Sequence, residues 1–345
     1  MTPHPLTIRT MTAQDAFAWD AFVERCPQAT FFHKSAWKTL IEEEFGHRTH
    51  YLLAENSEGI QGILPLAEIR HFYFGHSLSS LPFAVYGGIA ALSEAATHAL
   101  DQHAQQLAQA LQVDHLEYRQ REVLHPEWPH KELYVTFRKP IDPDIDQNLK
   151  NIPRKQRAMV RSGIAHGLAS EIDDGVDRFY SVLADNMHRH GTPTFSRRYF
   201  ARLKSLFGDD CEILSVVKDQ QVISSVLSFY FRDEVLPYYA GDTLAARQLA
   251  GNDFKYWELM RRSCERGIRL FDYGRSKIGT GSYSFKKNWG FEPTPLPYEY
   301  RLYRSDTVPD QNPLNPKYQF FIRTWRQLPR PVTTWLGPKI VRYLG

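Results

Sequence analysis

Long hydrophobic runs are missing from this chain. No stretch of about 18 uninterrupted apolar residues occurs, which argues against a membrane-spanning helix. The start, Met1-Thr2-Pro3-His4-Pro5-Leu6, has neither the basic n-region nor the apolar h-region of a secretory signal, so a soluble, cytoplasmic protein is expected. Cysteine is scarce as well. Cys26, Cys211 and Cys264 are odd in number and widely spaced, a pattern that argues against a disulfide framework and predicts reduced core thiols. His188 and His190 stand close together without a positioned third ligand, so they predict a helix-end surface rather than a zinc site. The Gly-x-Ser-x-Gly elbow, the Walker phosphate loop and His-Glu-x-x-His are all absent, which leaves hydrolase, nucleotidase and metalloprotease readings without support.

What is present fits compact domains. The 345 residues are 42% hydrophobic and 23% charged, a length and balance that predict two cores rather than one. The formal charge of +3 is too small to signal a nucleic-acid partner by itself, but it is unevenly spread. Lys150, Arg154, Lys155, Arg157 and Arg161 lie in an acid-free stretch at the midpoint, and no carboxylate follows Asp310. Both regions read as solvated basic surface or as a place to meet phosphates.

The order of elements is written twice. In the first half, Thr12-Ala13-Gln14-Asp15 reads as a capping box, and Ser35 is placed to cap a helix carrying Trp37, Leu40 and Ile41 on one face up to Gly46. Asn56-Ser57-Glu58-Gly59 then predicts a hairpin between Tyr51–Ala54 and Ile60–Leu66. A third strand is expected to end in Tyr86-Gly87-Gly88, before a long helix opened by Ser93 and a strand at His115–Tyr118. In the second half, helices near 175–190 and 196–207 precede strands at Ile213–Val217, Val222–Phe231 and Val235–Gly241. Asn252 or Asp253 is placed to cap the next helix, Gly267 to stop it, and Ile268–Tyr273 to form the last strand. Such a repeat points to duplication of one α/β domain. The join is expected near 140–152, giving domains at 1–145 and 146–310 and a basic aromatic tail at 311–345.

Three motifs carry a family likeness: Tyr238-Tyr239-Ala240-Gly241, Phe271-Asp272-Tyr273-Gly274-Arg275-Ser276, and Gly279-Thr280-Gly281-Ser282-Tyr283-Ser284-Phe285-Lys286-Lys287-Asn288-Trp289-Gly290. Together with Ser79-Ser80-Leu81-Pro82-Phe83 and Asn315-Pro316-Lys317-Tyr318, they resemble the FemAB-like group of the GNAT (N-acetyltransferase) superfamily, in particular the members that accompany exopolysaccharide and exosortase (PEP-CTERM) systems. The resemblance implies an α/β (α+β) fold of two tandem GNAT-like domains, each a mixed, mostly antiparallel sheet flanked by helices. It also implies an aminoacyl- or acyl-transferase acting on an amine of a cell-envelope or exopolysaccharide precursor, as in peptidoglycan-building relatives. Aminoacyl-tRNA and acyl-CoA are the two cosubstrates it offers, with no tightly bound cofactor and no metal. A noncatalytic assembly protein on the same scaffold is the alternative. Coenzyme A users of the superfamily cradle pyrophosphate with Gln/Arg-x-x-Gly-x-Gly/Ala, whereas this chain has Gln248-Leu249-Ala250-Gly251-Asn252-Asp253. Asp253 in the final small position is expected to repel pyrophosphate.

The likeness also nominates residues. Lys286 matches the family's Phe-Lys pair and is the leading catalytic candidate, as an oxyanion stabiliser or a holder of donor phosphates; otherwise it solvates a helix face beside Phe285. Asp272, at a strand's C-terminal end, is a candidate to accept the amine proton or to hydrogen-bond the Tyr273-Gly274-Arg275 turn. Tyr239, Arg275, Tyr283 and Phe285 are candidate substrate contacts beside it, though Arg275 and Tyr283 could equally order the Gly279-Thr280-Gly281 loop. Arg157 and Arg161 share one helical face and resemble the family's basic helix, with Arg161 the best phosphate anchor. Trp37, Phe83 and Tyr86 resemble acceptor-cleft aromatics. Core packing is the better explanation for Trp37 and Phe83, and the glycines after Tyr86 leave it more open. In the tail, aromatics alternate with bases from Lys317 onward. Two readings stand there: packing on the C-terminal domain, or peripheral contact with an anionic inner-membrane surface.

Overall fold

The computed structural model describes residues 5–72, 75–309 and 316–344, with side chains from 320 onward in the last segment. The opening Met1–His4 and Asn315 of the closing motif lie outside the described residues, as do the side chains of Pro316, Lys317 and Tyr318. Two compact units make up the chain.

The first unit comprises Met1–Tyr134, Pro295–Asp310 and Tyr343–Gly345. Its hairpin forms as expected: Leu52–Asn56 pairs antiparallel with Gly59–Leu64, closing at Asn56 opposite Gly59. The Asn56 side chain accepts from the Glu58 amide at 2.8 Å, and Gly59 takes φ +103°, so both ends of the turn have the residue they need. The long helix Glu94–Ala110 is capped by Ser93, whose Oγ accepts from the Ala96 amide at 3.2 Å. Ala96, Leu100, Ala104 and Ala108 recur at four-residue spacing and are fully buried. This stripe seats the helix on the hairpin so closely that a Cβ at Gly62 would lie 2.9 Å from Leu100 Cδ1.

A second sheet of the unit places Gly75–Ser79 parallel to His115–Tyr118, which in turn pairs antiparallel with Tyr298–Leu302. Here the expected strand ending at Tyr86-Gly87-Gly88 is corrected. The strand role falls to the hairpin Ala67–His71/Gly75–Ser79, and residues 80–89 form an irregular loop. Pro82 cannot donate to a ladder, and Leu81 and Phe83 adopt left-handed φ of 62° and 68°, which no strand accommodates.

The second unit comprises Val135–Thr294 and Gln311–Arg342. One twisted sheet runs through Ala169–Ile172, Cys211–Lys218, Gln221–Phe231, Glu234–Asp242, Leu270–Asp272, Tyr134–Pro140 and Ser276–Lys277. The helix Gly251–Glu265 presses Phe254, Trp257, Leu259 and Met260 into the sheet's core of Phe137, Val226, Val235 and Phe271. The basic helix Arg154–Ala165 packs on this helix through Val160 and Gly163. A Cβ at Gly163 would lie 2.8 Å from Phe254 Cβ.

These units divide the chain differently from the expected boundaries. The first ends at 134 rather than 145 because Arg138–Pro140 pairs with Leu270–Asp272. Residues 295–310 belong to the first unit because their strand completes its sheet, and 311–342 belongs to the second. The tail is two helices, Pro316–Gln327 and Arg330–Val341, interrupted before Pro329 and packed on the helix Asp177–His190. Trp325 is buried there, while Phe320 and Trp335 are exposed.

Two expected caps are also corrected. Ser35 does not cap the helix Ala36–Leu40; its Oγ donates to Asp20 at 2.7 Å. The helix Gly251–Glu265 begins after Ala250 in the left-handed region, and Asp253 turns into the first turn rather than capping it.

Candidate functional site

The second unit's sheet opens where two parallel strands part company. Glu234–Asp242 pairs with Leu270–Asp272 only at Glu234↔Leu270 and Val235↔Phe271, and then runs on alone on that side. A register shift against Gln221–Phe231 falls between Leu227 and Ser228, leaving Tyr238 as the extra residue of a bulge. Bulges bend a strand and re-aim its side chains. Tyr239 beside it is half-buried, its hydroxyl 2.9 Å from that of Tyr199. Desolvation raises that hydroxyl well above the usual phenol range, and the charge of Arg275 acts on it in the opposite direction.

At the end of the short strand Leu270–Asp272, Asp272 is fully buried. Its Oδ1 accepts from the Gly274 amide at 2.7 Å, and its Oδ2 from Arg138 Nε at 3.1 Å. The turn reading of Asp272 is therefore what its hydrogen bonds show. Thr136 adds a longer contact at 3.4 Å, and Arg138 reaches Glu234 with its other end. Neither Arg138 nor Tyr199 is marked by a local sequence pattern. Arg138 becomes a partner only because its strand pairs with one 134 residues away.

Thr280 caps the helix Gly281–Asn288 through the Tyr283 amide at 3.4 Å. Phe285 and Trp289, one turn apart, pack around Tyr256. Lys286 faces inward, only 9% exposed, which removes the reading in which it solvates a helix face. Its Nζ donates to three consecutive carbonyls, those of Tyr273 at 2.7 Å and of Gly274 and Arg275 at 3.1 Å each. Burial pushes the ammonium down to about 7, against the opposing pull of Asp272. The three carbonyl dipoles converge on the charged form and favour it. Phe137 lies below, with the Tyr283 ring edge-on at 5.6 Å and Lys286 Nζ 5.7 Å from its centroid. Lys286, Asp272, Arg275, Tyr283 and Phe285 thus gather around one turn.

The remaining candidates are placed elsewhere. Arg161 is exposed on its helix, and Arg157 donates to the Lys150 carbonyl at 2.8 Å. In the first unit Trp37, Phe83 and Tyr86 are all buried. Tyr86 is not opened by its glycines, because these bring backbones together instead: a Cβ at Gly87 would lie 2.6 Å from the Ser80 carbonyl, and one at Gly88 2.2 Å from Gln120 Cγ. His188 contacts Thr333 Oγ1 at 3.1 Å. Among the described residues no group of three potential ligands is arranged to hold a metal.

At the start of the helix Gly251–Glu265, packing requires a residue as small as glycine. A Cβ at Gly251 would meet Ala246 Cβ and Ile223 Cδ1 at 3.1 Å each, because the short helix Leu244–Gln248 packs against it. Asp253 accepts from Trp289 Nε1 at 2.9 Å, and burial raises its pKa. Lys255, fully buried, pairs with Asp242 at 2.9 Å.

Residues 147–287, less than half of the chain, match the acetyltransferase (GNAT) domain family. The crystal structure of FemX superposes with TM-score 0.67 at 14% identity, covering 92% of this chain and 100% of FemX. The C-terminal domain of a putative lysylphosphatidylglycerol synthetase from Agrobacterium fabrum superposes with TM-score 0.55 at 13% identity, over 84% of this chain and 91% of that domain. A tandem GNAT protein from the clavulanic acid biosynthesis pathway, solved without AcCoA, gives 0.54 at 11% identity, over 88% and 100%. No curated protein matches. The fold is therefore that of tandem GNAT-like proteins.

Proposed function

We propose, from the premise of a tandem GNAT-like chain, that this protein is an aminoacyl- or acyl-transferase acting on an amine of a cell-envelope or exopolysaccharide precursor. The observation that carries the reading is the buried Lys286 ammonium, held on the carbonyls of the Tyr273–Arg275 turn inside the segment that matches the acetyltransferase family. The acceptor amine attacks the donor carbonyl, a C–N bond forms, and the ester or thioester bond of the donor breaks. The amine's proton leaves with the departing alcohol or thiol. Lys286 exchanges one of its two longer carbonyl bonds for the oxyanion of the tetrahedral intermediate. Asp272, bonded to the Gly274 amide, to Arg138 and, at 3.4 Å, to Thr136, positions that turn. Tyr239, Arg275, Tyr283 and Phe285 line the approach, and Arg161, exposed on its helix in the same unit, is proposed to contact the acceptor.

An aminoacyl ester suits the donor side better than acyl-CoA, since the Asp253 carboxyl stands in the first turn of the helix whose start would meet a pyrophosphate. A lysylphosphatidylglycerol synthetase, by its name a protein that joins an amino acid to a lipid, shares the fold. The exposed Trp335, with Lys339 Nζ stacked 3.5 Å from its ring centroid, supports contact with an anionic bilayer, next to lipid-linked precursors. No helix among the described residues is long and apolar enough to cross a membrane.

The test is purified protein supplied with radiolabelled aminoacyl-tRNA and acyl-CoA pools and cell-envelope extract. Label reaching an envelope acceptor from aminoacyl-tRNA, and lost in Lys286→Met, is the expected result. Transfer from acyl-CoA alone overturns the donor assignment. Transfer from neither overturns catalysis in favour of a noncatalytic assembly protein.

A further inference from the structure

Two arginines leave the strand His115–Tyr118 in the first unit, and they are treated oppositely. Arg119 is buried and neutralised: its Nε and Nη2 donate to Glu117 at 3.1 Å each, and its Nη1 to the Ala84 carbonyl at 3.1 Å. Arg121, two residues on, is half-buried and has no carboxylate partner among the described residues; its guanidinium lies over the Tyr86 ring, 5.5 Å from the centroid. A cation over an aromatic face keeps its in-plane N–H donors directed outward.

The platform under Arg121 is rigidly built. The Gly87 amide donates to the Arg119 carbonyl at 3.0 Å, the Arg119 amide to Ser80 Oγ at 2.8 Å, and the Ile89 amide to Gln120 Oε1 at 3.1 Å. Leu81 and Phe83 hold strained left-handed conformations in the same loop. Strain of this kind persists only where surrounding contacts over-determine it. These contacts fix the Tyr86 ring and, with it, the one guanidinium of the pair that has been left uncompensated.

We propose that Arg121, stacked on Tyr86, is an anion-recognition site of the first unit, taking a phosphate or carboxylate group bidentately. The site does not depend on the transfer chemistry of the second unit, so it stands or falls separately from it. Calorimetric titration of the full chain with inorganic pyrophosphate and with succinate, at low ionic strength, tests it. Binding of one probe should weaken by about tenfold in Arg121→Gln, as loss of a bidentate charge-assisted contact implies. Arg121→Lys, which keeps the charge but loses the planar fork, should fall between, and it carries the test if Arg121→Gln proves misfolded. Arg70→Gln, at an exposed arginine of the same unit, should bind as wild type. Stronger binding of pyrophosphate identifies a phosphate site and stronger binding of succinate a carboxylate site. Heat from neither probe, undiminished binding in Arg121→Gln and Arg121→Lys, or equal loss in Arg70→Gln overturns the proposal.

Discussion

Both units place a buried carboxylate at the end of the strand that follows their long helix, and they spend it differently. In the first unit Glu117 is locked: Arg119 grips both of its oxygens, while Tyr300 and Ser79 donate at 3.0 Å each. In the second, Asp272 accepts from Arg138, from the Gly274 amide and, at longer range, from Thr136, and a separate cation, Lys286, is held nearby with three backbone carbonyls as its hydrogen-bond partners. A carboxylate closed by its own arginine is framework. A cation whose hydrogen bonds go to neutral carbonyls, with no carboxylate bonded to it, keeps donors that can turn to a developing oxyanion.

The largest expected effect comes from breaking the locked side. Arg119→Met leaves Glu117 buried without its cation and should cost about 3–5 kcal/mol of stability in urea unfolding; a loss under 1 kcal/mol would mean that Glu117 is not dependent on the pair. The two units should answer pH with the same sign but in separate windows, because both groups are depressed and leave the unfolded chain holding the extra proton. Interaction with Arg119, set against burial, holds Glu117 down at about 2 from its ordinary 4.5, so its contribution of about 3 kcal/mol is present above 4.5 and lost as pH falls through 2. Lys286 is depressed from 10.5 to about 7, so the unfolded chain holds the extra proton and stability rises between pH 7 and 10.5. Stability curves of Glu117→Gln and Lys286→Met should each flatten one limb only.

On the open side, Lys286→Met should lower turnover by roughly 10²–10³-fold, the usual scale for one oxyanion donor, with KM little changed. Near-normal turnover would sink its catalytic assignment. The wild-type rate should fall as pH rises through about 7, and this limb should be missing from the variant. Smaller still, Gly163→Ala drives a methyl against Phe254 and should cost about 1–3 kcal/mol, as overpacking does. The smallest effect belongs to the tail. Trp335→Ala, at an exposed position, should change stability by less than about 0.5 kcal/mol, yet reduce flotation with anionic vesicles. Flotation equal to wild type would remove membrane contact.

What the sequence makes legible follows from the range of the physics involved. The Asn56–Gly59 turn, the Ser93 cap and the alanine stripe of the long helix are written within a few residues, and all three form. Phe285 and Lys286 are readable because neighbours on one helix must face different surroundings. Tyr86-Gly87-Gly88 misleads, since glycine permits either a ligand or another backbone to come close, and here Ser80 and Gln120 take the space. Arg138 and Tyr300 become partners of Asp272 and Glu117 only through strands paired over 134 and 183 residues. One local clue was available. Glu117 and Arg119 sit two apart at a strand's end, on one face, among apolar residues, which is the spacing of a buried ion pair in a sheet.

The returning strand Tyr298–Leu302 also sets an order of events on the ribosome. The Tyr300 hydroxyl that closes on Glu117 belongs to a residue 183 positions later in the chain. At about 5–20 residues per second, it is translated roughly 10–40 s after its partner. For that interval the edge of His115–Tyr118 that will receive Tyr298–Leu302 lacks its own partner, and such an edge invites foreign strands. The first unit is therefore begun first and finished after almost all of the second has been made. Nascent chains stalled before Tyr298 should need chaperone protection that full-length chains do not.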